Sequence, residues 1–243
     1  METRFLANRS ILIAGAGSGM GRATALAAAA AGADLMLVAR SSTALDDVVN
    51  EISAAGGQAT AIPTDVTDHA AVVDLIEQVL AKEGRIDALV NTVGTNIKNR
   101  ALGDLTPESW RDMVAINLTA AFNLTQAVVP CMRRQGDGLI VHVSSSAAKK
   151  PDPSGVAYQA TKSGLIGLTH GTMEEERQHG IRTSVIFPGL TDTPMVLKRP
   201  TPTPPEVLAK ALQPGDIAAA VMFILGLPAR AHVPELLLYP SGL

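Results

Sequence analysis

The stretch "SILIAGAGSGMGRATALAAA", Ser10 to Ala29, carries the reading of the fold. It opens with an aliphatic run long enough for one buried strand. It then turns through Gly15, Gly17, Gly19 and Gly21 and continues as an alanine-rich helix predicted over 19–31. Glycines in such a turn bring backbone N–H groups against a pyrophosphate, and the helix N-terminus behind them adds favourable dipole charge. The spacing is G-x-x-x-G-x-G through Gly15, Gly19 and Gly21; G-x-G-x-x-G would need glycine where Met20 stands. With Ser18 and Met20 in the same turn, the loop is expected to hold a dinucleotide.

Outward from this unit, short apolar runs alternate with helical patterns. "DLMLVA" from Asp34, "QATAIP" from Gln58, "DALV" from Asp87, "LIVHV" from Leu139 and "RTSVIF" from Arg182 read as strands. Helices are predicted over 44–54, 69–83, 107–134 and 158–178, with a last helix opening at Pro214 and a closing strand "ELLLY" over 235–239. Strands apolar along their whole length are buried on both faces, which indicates a parallel sheet between helices. The right-handed crossover rule then favours a doubly wound, Rossmann-like α/β fold. The second strand ends at Arg40, followed by Ser41 and Ser42, with no carboxylate at its tip. An acidic residue there would bond a ribose 2′-hydroxyl, whereas arginine accommodates a 2′-phosphate, so NADP(H) is expected over NAD(H), which stays possible.

Bulk properties narrow the class. The 243 residues suit one α/β domain, 1–243, and 47% hydrophobic with 18% charged residues is globular composition. A net charge of −3 argues against nucleic acid as a partner. The lone Cys131 leaves no internal disulfide or cysteine metal cage and fits a cytoplasmic setting; no metal is expected. The apolar run from Ile217 to Leu227 is too short to span a bilayer, and glycines break the N-terminal one, so no membrane partner is expected.

The chemistry is expected at strand ends. "YQATK" sets Tyr158 and Lys162 four residues apart, on one helical face. Ser145 in "VSSS" stands thirteen residues earlier, at the end of a strand, where open α/β sheets bind ligands. "NTVG" (91–94) ends another strand, "INLT" places Asn117 in a long helix, and "FPGLTDT" (187–193) ends a sixth strand. With "AGAGSGMG" and "TDV" at 64–66, these pieces in this order resemble the short-chain dehydrogenase/reductase family over nearly the whole chain.

That resemblance implies a seven-stranded parallel sheet and hydride transfer between a nicotinamide and a carbonyl or secondary alcohol. It implies Tyr158 as general acid/base, Lys162 as ribose ligand lowering the phenol pKa, Ser145 polarising the carbonyl, and Asn117 holding a relay water. Asp65 and Val66 would frame the adenine, Asn91 and Gly94 would lie near the adenosine ribose, and Pro188, Gly189, Thr191 and Thr193 would complete the cofactor site. The helix around Trp110 to Ala127 and the one carrying Tyr158 would build a homodimer or homotetramer.

Three departures from the family pattern stand out: Ala14 in place of threonine, Thr92-Val93 in place of Asn-Ala, and a C-terminus without the usual glycines. The proline-rich segment 191–207 reads as a flexible connection or as a lid over a site, the lid extending to about 212. Lys98, Arg100, Lys149, Lys150, Lys198 and Arg199 crowd loops at one end of the sheet, so an anionic substrate stands against a solvated rim or assistance to the phosphates of NADPH. A protein that senses NADP(H) without turnover is the alternative to an enzyme.

Overall fold

A computed structural model describes residues 4–242; the outermost positions of the expected 1–243 domain lie outside the described residues. Seven strands form one parallel sheet: β1 (Ser10–Ala14), β2 (Asp34–Ala39), β3 (Gln58–Pro63), β4 (Ala88–Asn91), β5 (Gly138–Val143), β6 (Ile181–Pro188) and β7 (Glu235–Leu238). Their order is β3-β2-β1-β4-β5-β6-β7, and every pairing is parallel. The order reverses between β1 and β4, so the crevice for a ligand opens there, at the carboxyl ends of the strands.

Side-chain alternation divides the core. Ile11, Ile13, Leu35 and Leu37 face a layer built by α1 (Gly19–Ala30), α2 (Ser42–Ala54) and, beyond the later helices, the C-terminal helix Pro214–Leu225. Leu12, Ala14, Met36 and Val38 face the opposite layer, with α3 (His69–Glu83) and the helices that follow it. The central strands β1 and β4 are buried along their whole length because both of their faces are covered, whereas the edge strands β3 and β7 are only partly buried.

The helix predicted over 107–134 is not continuous. It comprises α4 (Pro107–Val114) and α5 (Ala120–Gln135), joined by a π-helical turn over Ala115–Thr119 in which the Ala120 N–H bonds the Ala115 carbonyl. By length and composition this 29-residue run could cross a membrane, but half of its most apolar window is buried in the fold, as in a core helix. The next helix, α6 (Val156–Glu176), starts two residues before Tyr158 and gives way to a 3₁₀ turn at Arg177–His179. The chain ends through α7 (Pro205–Leu208), α8 (Pro214–Leu225) and β7, which stops one residue short of the predicted Tyr239. Segment 191–212 leaves and returns at one place: Thr191 pairs with Leu212, and the Asp192 N–H bonds the Leu212 carbonyl at 2.8 Å.

Behind the strand ends lies a buried polar chain. His142 on β5 has Nδ1 3.2 Å from Asn91 Nδ2 and Nε2 3.2 Å from Thr125 Oγ1, and Thr125 Oγ1 donates to the Ala121 carbonyl at 2.7 Å. The Asn91 amide donates to Nδ1, so Nε2 carries the proton and the ring is neutral. Burial, with the Lys162 charge behind it, lowers the His142 pKa from 6.5 to about 4. Between those values the unfolded imidazole holds a proton that the folded one rejects, so stability falls as pH drops from 6.5 towards 4. The loss contributed by this residue is about 3 kcal/mol. Urea unfolding of wild type and His142→Gln should show their stability difference changing by that amount between neutral pH and pH 4; a constant difference would mean that His142 protonates freely in the fold.

Candidate active site

The glycine turn is shaped by how closely α1 approaches β1. A Cβ on Gly21 would lie 2.1 Å from the Gly15 carbonyl oxygen and 2.5 Å from Thr92 Oγ1, and Gly15 itself has φ +85°. No side chain fits there, so the first turn of α1 lies directly on the end of β1 with its N–H groups facing the crevice. Thr92 Oγ1 donates to the Ala14 carbonyl at 2.8 Å. Ala14 has no hydroxyl of its own, and its backbone carbonyl is tied to β4's side of the crevice by Thr92.

From this turn a cleft of about 420 Å³ runs along the sheet edge, lined among others by Ser18, Met20, Arg40, Ser41, Asp65 and Val66. Ser41 caps α2, its Oγ accepting the Ala44 N–H at 3.2 Å, which leaves its own proton free to donate. Asp65 Oδ1 accepts from the Thr67 N–H and hydroxyl, and these bonds, with Arg40 adding its charge, hold the carboxyl below its usual range. Asn123 on α5, which no sequence signal singled out, donates to the Val66 and Thr67 carbonyls and so fixes that wall.

The second chamber, about 110 Å³, adjoins the first through Met20, Thr92, Gly94 and Thr193. Ser145, Tyr158 and Lys162 line it together, as their spacing suggested. Ser145 lies two residues beyond the end of β5 and caps the 3₁₀ turn Ser146–Ala148, its Oγ accepting the Ala147 N–H at 3.2 Å. Tyr158 and Lys162 sit on adjacent turns of α6, with the ammonium 5.9 Å from the ring centroid. Lys162 Nζ donates to the Val143 carbonyl at 3.1 Å, and burial lowers its pKa to about 8. Burial holds the Tyr158 phenol above its ordinary pKa, and Asp152 adds to this; the Ser145 hydroxyl, Arg100 and Arg199 pull it down. Two arginines thus act on the phenol from the chamber, while the Lys162 ammonium is held by the Val143 carbonyl and lies over the ring.

Other expected positions fall in different places. Pro188, Gly189 and Thr191 line the tyrosine chamber, and Thr193 borders both chambers. Asn91 does not reach the cleft with its side chain, which is turned into the core to the Val93 N–H and His142. Asn117 lies in the π-helical turn with its amide bound within the fold: Oδ1 accepts the Thr95 N–H at 2.7 Å, and Nδ2 donates to the Thr95 carbonyl and Thr161 Oγ1. It braces the 94–96 loop against α6.

A family model described as short chain dehydrogenase matches residues 9–203. The chain belongs to the short-chain dehydrogenase/reductase family. It is 34% identical to the 3-oxoacyl-[acyl-carrier-protein] reductase FabG of Thermotoga maritima over 74% of this chain and 75% of that one. Among solved structures, this dehydrogenase/reductase superposes on a metagenomic short-chain oxidoreductase in complex with NADP with a TM-score of 0.85 at 33% identity, covering 98% and 99% of the two chains. Levodione reductase gives a TM-score of 0.90 at 30% identity, covering 98% of each. The protein is thus an oxidoreductase of this family, with the seven-stranded sheet that the sequence resemblance implied.

Within this short-chain dehydrogenase/reductase, Gly94 is where the two chambers meet. A Cβ there would lie 2.8 Å from Lys162 Nζ and 3.5 Å from Asn117 Oδ1. Gly94→Ala should fold, since a lysine tip can move, yet displace the ammonium; NADP⁺ affinity, read by fluorescence titration, should fall about tenfold. Unchanged affinity would show that the Lys162 position is not held by this contact.

Proposed function

We propose that the protein is an NADP(H)-dependent reductase of carbonyls, or in reverse a dehydrogenase of secondary alcohols, with Tyr158 as general acid/base. The observation that carries this reading is the convergence of Ser145, Tyr158 and Lys162 on one chamber adjoining the glycine-turn cleft. The cleft fits a dinucleotide: its turn is built from positions where a Cβ would meet backbone, leaving N–H groups exposed for a diphosphate. Gly15, Gly17 and Gly19 with Ser18 and Met20 would hold that group, Asp65 and Val66 the adenine, and Lys162 the nicotinamide ribose. When bound, a reduced nicotinamide supplies the hydride.

The residues do the rest. Ser145 donates to the carbonyl oxygen and fixes its position. As the carbonyl carbon gains hydride, the oxygen takes the Tyr158 proton, so a phenol held protonated by burial is a ready acid in the reducing direction. Lys162 stabilises the phenolate left behind, a charge balance that its buried ammonium can meet at neutral pH. Segment 191–212 acts as a lid: Lys198 Nζ donates to Thr95 Oγ1 at 2.6 Å, and Arg100 Nη2 to the Lys198 carbonyl at 2.7 Å, clasping it over both chambers. Arg40 and the capping Ser41 at the start of α2 favour a 2′-phosphate. The exposed Trp110 and Phe122 on α4 and α5 support pairing with a second copy, and the buried Cys131 fits a cytoplasmic setting.

Two substitutions test this. Tyr158→Phe should reduce turnover of a carbonyl panel at least 100-fold while NADPH still binds, since general acid–base help typically contributes about 10²–10⁴-fold; retained turnover would remove Tyr158 from its role. Arg40→Asp should reverse or erase a preference for NADPH over NADH in kcat/KM. A surviving preference would mean the 2′-phosphate is recognised elsewhere.

A further inference from the structure

The six cations at this end of the sheet separate into two groups. Lys149 is paired with Glu235 at 2.7 Å and lies over the Phe187 ring; Lys150 lies over the Tyr239 ring at 4.9 Å. Lys198 borders the nucleotide cleft and bonds Thr95, and Lys98 is exposed and lines neither chamber. Only Arg100 and Arg199 line the tyrosine chamber, and both are half-buried.

Their bonds leave each guanidinium with donors to spare. Arg100 donates from Nε to the Ile97 carbonyl at 3.0 Å and from Nη2 to the Lys198 carbonyl; Arg199 donates from Nη1 to Thr203 Oγ1 at 3.1 Å. Guanidinium has five N–H donors, so neither is satisfied by these neutral oxygens. Among the described residues no carboxylate lies within ion-pair distance of either. The one acidic residue lining the chamber, Asp152, is turned to Ser154, accepting its N–H at 2.8 Å and its hydroxyl. Two half-buried like charges facing one small space is an arrangement that disfavours itself until an anion arrives. Burial lowers the Arg100 pKa, Arg199 lowers it further, and Tyr158 and Asp152 offset part of this.

We propose that Arg100 and Arg199 form an anion site beside Tyr158 that takes the carboxylate of a compact oxo-acid, or of the matching hydroxy-acid in reverse. This rests on the reductase reading for its carbonyl but not for its anion. Compactness follows from the chamber, about 110 Å³ against roughly 300–1,000 Å³ for drug-sized sites. The planar forks of two arginines match a carboxylate's paired oxygens, and Leu190, Met195 and Val196 offer apolar contact to a short carbon chain.

The test has a catalytic and a binding arm. In the first, 2-, 3- and 4-oxopentanoate are compared with their amides as substrates with NADPH. In the second, pentanoate and pentanamide are titrated into the NADP⁺-saturated protein by calorimetry. The expected results are a kcat/KM ratio of about 30-fold for the best acid over its amide, expressed in KM, and binding of pentanoate but not pentanamide. Arg199→Gln should bring the ratio and the binding difference to within about threefold, and Arg199→Lys should restore part of both. Amides reduced as well as acids, or pentanoate binding no better than pentanamide, would overturn the anion site while leaving the reductase standing. Arg199-dependent pentanoate binding with no turnover of either series would support the anion site and count against the reductase. Neither binding nor turnover would remove the anion site.

Discussion

Everything at this site depends on one close approach. The N-terminal turn of α1 lies so near the end of β1 that a methyl group at Gly21 would overlap the Gly15 carbonyl oxygen. With α1 seated this closely, its exposed N–H groups are held at the switch point of the sheet, where the strand order reverses between the paired β1 and β4. The parallel register then sets the ends of β4, β5 and β6 beside that turn, and with them Gly94, Ser145 and Pro188. A compact cradle for phosphates and a chamber for chemistry are thus two results of the same packing.

The polar groups behind the site make it rigid at some cost in burial. Lys162, Asn117, Asn91 and His142 are all nearly inaccessible, and each has its partners: Val143, Thr95 with Thr161, Val93, and Thr125. A buried group without partners costs about 1–3 kcal/mol, so the satisfied chain holds β4, β5, α5 and α6 in one geometry. Lys162 is the exception in kind: its single bond to Val143 leaves ammonium protons available in the chamber, which suits a residue whose remaining partners arrive with ligands.

What the sequence disclosed was local. The strand-glycine-helix unit, the i,i+4 pair of Tyr158 and Lys162, and Ser145 at a strand end are short-range patterns whose geometry follows from secondary structure alone, and all three meet where expected. Ser41 beside Arg40 also proves to be the cap of α2, which begins at Ser42, two residues before the helix predicted from 44, so the pattern did not mark it as one. What stayed hidden was set between distant segments. The polar chain of Asn91, His142 and Thr125 joins two strands and a helix, and only a histidine inside "LIVHV" hinted at it. The π-helical turn at Ala115–Thr119 interrupts an otherwise unbroken helical pattern. Which two of six loop cations would face Tyr158 depended on where the loops carrying Arg100 and Arg199 were tied down, which no spacing encodes.

The exchange at positions 14 and 92 has a consequence for inheritance between relatives. The family pattern carries its hydroxyl on the first strand, whereas here Thr92 sends one across the crevice to the Ala14 carbonyl. The two positions therefore form a unit of recombination. A chimera joining this β1 to a β4 without Thr92 would lose the hydroxyl that bonds the Ala14 carbonyl. Segments swapped among such enzymes should be cut so that both strands travel together.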